Sequence, residues 1–234
     1  MNGSINSVES MGLVDGPGVR CVVFLNGCNK RCLFCHNPEM WEKKENNITA
    51  KELVNKIKRF KPYFKNNGGV TFSGGEALLQ PKFLIEVFKL LKEENIDIAL
   101  DTAGTISKYN EEVLKYVDLV LLDIKHTDKG SYKKLTGADI KEQEEFIKLL
   151  NKMNKNVWIR QVITPSITDS IDYINSLKEY IKKIKNIKKV EFLPYHKMGI
   201  EKYIRLGIDY KLKEIDEMNK EKCDELYAYF KKTS

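Results

Sequence analysis

The sequence predicts an α/β fold, a single domain built as an open, partial TIM-type (β/α)6 barrel. Three observations point there. Six short runs rich in β-branched and apolar residues alternate with stretches of helical periodicity, an alternation that favours parallel pairing through right-handed crossovers. Six units are too few to close an eight-stranded barrel. The unusual polar residues also collect where those runs end, the edge at which β/α barrels gather their chemistry.

The first strand is read at 19–25, preceded by the turn Asp15-Gly16-Pro17-Gly18, whose two glycines flank a proline. Thr49 with Glu52 three residues on has the pattern of a helix-opening capping box, followed by Leu53, Ile57 and Phe60 at helical spacing. The second strand, 69–73, ends at Gly74-Gly75-Glu76, and Pro81 suits the first turn of the next helix. The third strand, 96–100, leads into Asp101 and Thr102. A weak helix at 111–116 precedes the fourth strand, 119–124, with Asp123, Ile124 and Lys125 at its end. Helical stretches at 132–135 and 142–153, a fifth strand at 157–163, a helix at 171–184 and a sixth strand at 189–193 follow. An amphipathic helix at 211–230 closes the chain. The domain reading is one unit over 1–234, with a short N-terminal turn segment and a C-terminal helix.

At 234 residues with 42% hydrophobic content, a full core is feasible, since chains of this size bury roughly 70–75% of their extended surface. No apolar run approaches the roughly 18 residues of a membrane span, and the N-terminus has no signal-peptide pattern. The expectation is a cytoplasmic protein with no membrane partner. The formal charge of +7 comes from scattered lysines. Without a block of basic residues interleaved with stacking aromatics, no nucleic-acid partner is expected.

Three of the five cysteines, Cys28, Cys32 and Cys35, fall within eight residues. Thiolates this close repel unless a cation lies among them, so the loop reads as a metal or cluster site. A structural zinc wants four ligands, and His36 as the fourth would directly follow Cys35. A 4Fe-4S cube held by three cysteines leaves one iron open to another ligand. Cys21, in an apolar run, reads as a small core residue.

The C-x3-C-x2-C spacing with Phe34 before the last cysteine resembles the signature of the radical S-adenosylmethionine (SAM) superfamily. The segments Asp15-Gly16-Pro17-Gly18, Gly74-Gly75-Glu76, Leu122-Asp123-Ile124-Lys125, Val157-Trp158-Ile159-Arg160 and Leu193-Pro194-Tyr195-His196 narrow this. The chain resembles the activases of glycyl-radical enzymes over nearly its whole length. No cysteine lies between Cys35 and Cys223, so there is no ferredoxin-like insert, and the resemblance is to the pyruvate formate-lyase type.

That resemblance implies a reaction and a site. SAM, chelated at the open iron, is cleaved by one electron to methionine and a 5′-deoxyadenosyl radical, which takes a hydrogen from a glycine of pyruvate formate-lyase. Cys28, Cys32 and Cys35 hold the 4Fe-4S cluster. Phe34, Cys35 and His36 touch SAM, Phe34 by packing on the adenine. Gly74 and Gly75 let backbone approach the SAM amino group, and Glu76 either adds charge there or starts the next helix. Lys125 neutralises the SAM carboxylate, with Asp123 on the same side of its strand; Ile124 and His196 complete the cofactor contacts. Asp101, Thr102, Asp123 and the Leu121 carbonyl match a monovalent-cation site. Arg160 is a further charged contact, and Asp15 with its turn faces the partner's peptide. A flavodoxin or ferredoxin supplies the electron, and the protein is a monomer. Two rival readings remain at this level: a radical SAM enzyme acting on another glycyl-radical enzyme or a small molecule, and a zinc-binding interaction module using the three cysteines and His36.

Overall fold

The computed structural model describes residues 1–232. The N-terminus contributes β1 (Asn2–Gly3) and β2 (Ile5–Gly12), followed by β3 (Arg20–Leu25). After the cysteine loop come β4 (Ile48–Thr49), α1 (Ala50–Lys58), α2 (Lys61–Phe64), β5 (Gly69–Gly74), α3 (Pro81–Glu93) and β6 (Asp97–Thr102). The second half runs α4 (Asn110–Lys115), β7 (Leu119–Asp123), α5 (Lys129–Thr136), α6 (Lys141–Lys152), β8 (Asn156–Ile163), α7 (Ile171–Ile181), β9 (Ile187–Pro194), α8 (Ile200–Leu206) and α9 (Lys220–Lys232). All six strands expected from the sequence are present. They lie side by side in chain order as β3-β5-β6-β7-β8-β9, and each neighbouring pair is parallel.

The sheet has a seventh member. β2 pairs antiparallel with β3, with irregular register between Glu9 and Gly12, so the N-terminal segment is a hairpin arm and not merely a turn. Asn6, Ser7 and Glu9 interrupt its apolar residues, which leaves a weak strand signal. The C-terminal expectation also needs correction. The continuous helix expected at 211–230 is not formed: α8 ends before it at Gly207, φ +66°, residues 208–219 are non-helical, and α9 begins only at Lys220. Tyr210, Leu212 and Met218 are buried as separate anchors in that stretch, and Asn219 receives the Lys222 amide on its side chain.

Helix boundaries elsewhere follow local chemistry. Thr49 caps α1 by accepting from Glu52 N on its side chain, and its own N–H donates to Glu52 Oε2, a complete capping box. Pro81 opens α3 where no amide is needed. Cys21 is fully buried among the core residues. Arg20, also fully buried, ties three strands together: it donates to Thr71 Oγ1 at 3.1 Å, Val70 O at 2.7 Å and Asp97 Oδ1 at 2.7 Å.

The order ends at β2 and β9 without those two pairing, so the barrel stays open. Its curl is evident from a single cavity lined by residues of all six parallel strands: Phe24, Ser73, Asp101, Asp123, Arg160 and Leu193. Ala99, Leu119, Leu121 and Trp158 form a small separate apolar cluster, while the main core packs the helices against the sheet.

Replacing Thr49 with Ala removes the side-chain half of the capping box and is expected to cost about 1 kcal/mol of stability. Urea unfolding measures it; an unchanged midpoint would mean that the cap contributes nothing.

Candidate active site

The cavity has a volume of about 430 Å³, within the range of small-molecule sites. Its floor is the cysteine loop, which leaves β3 and is held by backbone on two sides. Gly27 N donates to Met40 O and Cys28 N to Trp41 O; Arg31 N donates to Thr136 O and Leu33 N to Leu135 O. The loop is therefore fixed both to the turn after it and to the end of α5.

A third anchor comes from β5. Gly74 has φ +114°, and a Cβ there would lie 2.3 Å from Leu25 N; one on Gly75 would lie 2.2 Å from Gly27 O. Gly75 N and Glu76 N donate to Leu25 O and Gly27 O at 2.9 and 2.8 Å. The glycines are thus needed first for the close approach of two strand-end loops. Glu76 is buried and caps the short 3-10 turn after β5 through Leu78 N. It also accepts from Thr102 Oγ1 at 2.7 Å and Ala103 N at 3.1 Å. Its carboxylate joins the ends of β5 and β6 at the cavity wall, and its capping contact at the turn after β5 accompanies a position in the cavity lining.

The three cysteines are free thiols lining the cavity. Burial pushes the Cys32 thiol up to about 12, and burial likewise raises Cys28 and Cys35. Holding three such thiolates together calls for a bound cation, and three donors suit an iron–sulfur cluster with one iron left open. His36 does not complete a zinc site. Its Nε2 pairs with His196 O at 3.0 Å and its ring stacks on His196 at 3.9 Å. Among the described residues no three His, Cys, Asp or Glu side chains converge on a single ion. The zinc-module reading would need His36, which is engaged with His196, as its fourth donor.

The charged residues opposite the loop form one network. The register sets Asp123 beside Arg160, and Arg160 bridges two carboxylates: Nε to Asp123 Oδ1 at 3.0 Å and Nη2 to Asp101 Oδ1 at 2.6 Å. Lys125 Nζ donates to the other Asp123 oxygen at 2.8 Å, and Ser73 Oγ donates to Asp101 Oδ2 at 2.5 Å. Burial alone would raise both acids. Burial and the neighbouring Asp123 charge outweigh Arg160 and keep Asp101 up at about 6, whereas Arg160 and Lys125 together hold Asp123 down at about 2. Burial also disfavours charge on Lys125 and Arg160, but their carboxylates outweigh it and keep both cations well above their ordinary range.

Phe34 is buried, and its ring centroid lies 5.3 Å from Lys125 Nζ. His196 lines the cavity, and its Nδ1 is buried without a hydrogen-bond partner among the described residues. Asp15, on the hairpin turn, also reaches the cavity; burial raises its carboxyl. Two expected residues do not bring side chains there. Ile124 packs in the main core and Leu121 in the small apolar cluster, so any part they play belongs to their backbone. Residues not foreseen include Lys30, Asn37, Ser73 and Trp41 in the lining, and Tyr203, whose hydroxyl donates to Cys35 O at 2.9 Å. The only sequence signal for the first two was their position within or beside the cysteine triplet.

The Asp101 assignment predicts a pH effect. A carboxyl whose folded value exceeds its ordinary 3.8 favours folding increasingly as pH falls from above about 6 to about 4. The Asp101→Asn variant lacks this gain. Wild-type stability relative to the variant should therefore rise between about pH 7 and about pH 4.5 in urea titrations; a constant difference would contradict the raised value.

Comparison with known proteins places this geometry in a family. The Radical SAM superfamily profile matches residues 22–177. A pyruvate formate-lyase-activating enzyme of Clostridium pasteurianum is 54% identical over 98% of this chain and 97% of the relative. One from Staphylococcus epidermidis is 43% identical over 98% and 95%. Among solved structures, a domain of a pyruvate-formate lyase-activating enzyme from Bacteroides vulgatus superposes with a TM-score of 0.56 at 21% identity, covering 70% of this chain and 96% of that one. Streptococcus suis SuiB bound to precursor peptide SuiA gives 0.67 at 19%, covering 97% and 48%; at these identities the likeness speaks for the fold. The open six-stranded parallel barrel, its three-cysteine loop and this near full-length identity establish that the chain belongs to the pyruvate formate-lyase-activating enzymes of the radical SAM superfamily.

Proposed function

We propose that this protein raises a glycyl radical on pyruvate formate-lyase, using a 4Fe-4S cluster held by Cys28, Cys32 and Cys35 and SAM bound in the cavity above it. The observation that carries the proposal is the loop itself: three half-buried thiols within eight residues lining one cavity. When bound, the cluster and SAM would supply a one-electron cleavage whose products are methionine and, with one hydrogen atom taken from a glycine Cα, 5′-deoxyadenosine.

The chain's own residues bind, orient and exclude water. Lys125, 14% exposed, presents a desolvated ammonium for the SAM carboxylate. Phe34 offers a ring for the adenine, and His196 has an unpartnered Nδ1 for a polar contact. Gly74 and Gly75 keep the wall between β3 and β5 thin. The polar side chains opposite the loop pair with one another, which favours a protein glycine over a small polar molecule as the hydrogen donor. Asp15 and its turn face that peptide. A flavodoxin or ferredoxin delivers the electron, and the activase works as a monomer.

A monovalent cation among Asp101, Thr102, Asp123 and the Leu121 carbonyl is the finer proposal, with Arg160 competing for both carboxylates. Replacing potassium and sodium by tetramethylammonium should slow SAM cleavage; unchanged rates would dismiss the ion.

The function is tested by mixing the reduced protein with SAM and pyruvate formate-lyase from the same source. An organic glycyl radical in the electron paramagnetic resonance spectrum is expected, and its absence would defeat the assignment. Cys32→Ala should lose bound iron and SAM cleavage while its circular dichroism stays native. Wild-type cleavage in that variant would exclude Cys32 as a ligand.

A further inference from the structure

Lys30 lies between the first two cysteines, and the residue is only 2% exposed. Its ammonium donates to Thr105 Oγ1 at 2.7 Å and to Asn29 Oδ1 at 3.2 Å. Both acceptors are neutral, and among the described residues no carboxylate forms an ion pair with it. The other cations of the cavity are different: Lys125 and Arg160 each hold a carboxylate. A buried ammonium with neutral acceptors alone is uncompensated, because hydrogen bonds to a hydroxyl and an amide do not replace the lost hydration of a full charge. Such a group points to an anion that belongs beside it.

The surroundings say which. Lys30 lines the cavity with all three cysteines, and its backbone N–H donates to Cys28 Sγ at 3.4 Å. Its charge acts on both Cys28 and Cys32 in the direction that favours their thiolates. Three thiolates outweigh the charge of an iron–sulfur core, and reduction adds a further negative charge. A fixed cation stabilises the reduced state more than the oxidised one, and so raises the potential.

We propose that Lys30 is the buried counter-charge of the cluster and holds its reduced state within reach of the electron donor. This rests on the cluster assigned above. It makes Lys30 a positioning residue of the electrostatic kind, acting on the cluster and not on the glycine.

The test compares wild type, Lys30→Met and Lys30→Arg, all reconstituted anaerobically, by potentiometric titration followed by electron paramagnetic resonance without SAM. Met keeps most of the stem and removes the charge. The expected result is unchanged iron and sulfide in Lys30→Met with about a tenfold lower ratio of reduced to oxidised cluster at a fixed potential, a shift of ~59 mV for one electron. Lys30→Arg should recover most of it. A loaded Lys30→Met protein at the wild-type potential overturns the proposal. So does a loss of SAM affinity without a change in potential, which would assign the ammonium to the SAM carboxylate. If Lys30→Met does not load, the melting temperatures of the cluster-free proteins decide. At or above wild type, an uncompensated charge has been removed and the counter-charge stands; below it, Lys30 is structural. Wild-type protein that takes up no iron and sulfide would sink the cluster reading itself, a different outcome from any of these.

Discussion

The approach of Gly74 and Gly75 to the backbone of Leu25–Gly27 is the contact on which the rest of the site depends. A side chain at either glycine would meet loop backbone at 2.2–2.3 Å, a distance no small adjustment relieves. Because the approach is allowed, the cysteine loop hydrogen-bonds directly to the end of β5, and Glu76 carries the connection on to β6 through Thr102 and Ala103. Three strand ends and the loop are thereby fixed relative to one another.

Opposite that fixed floor the barrel presents a balanced charge network. Two acids and two bases sit within hydrogen-bonding distance and largely out of water. Such a cluster is costly to build piecemeal, since each charge alone would be uncompensated. It holds because the parallel register sets Asp123 against Arg160 and leaves Asp101 one strand away on the same face. The segment around α8 closes the other side: Lys202 bridges Asn37 and Glu39, and Tyr203 reaches the Cys35 carbonyl.

Much of this could be read from the residues. The six parallel strands are visible because their interiors are continuous apolar runs, as in Leu119–Asp123, where the first four residues are buried. The cysteines, Asp101, Asp123 and Lys125 could be placed because strand ends in such a fold share one face. What escaped had no local signature. β2 carries too many polar residues to declare itself. The stretch before α9 keeps a helical apolar rhythm through Leu212, Ile215 and Met218, although tertiary anchoring breaks it. The burial of Lys30 and the bridging geometry of Arg160 depend on contacts with Thr105 and Asp101, more than fifty residues away in sequence, and spacing cannot reveal them.

The central claim is that Cys28, Cys32 and Cys35 would hold a 4Fe-4S cluster and that SAM would bind in the cavity they line. The electron paramagnetic resonance spectrum of the reduced protein, recorded with and without SAM, tests this most directly. A change in the cluster signal on adding SAM is predicted, because three cysteines would leave one iron available to SAM. An identical spectrum at saturating SAM would contradict the account.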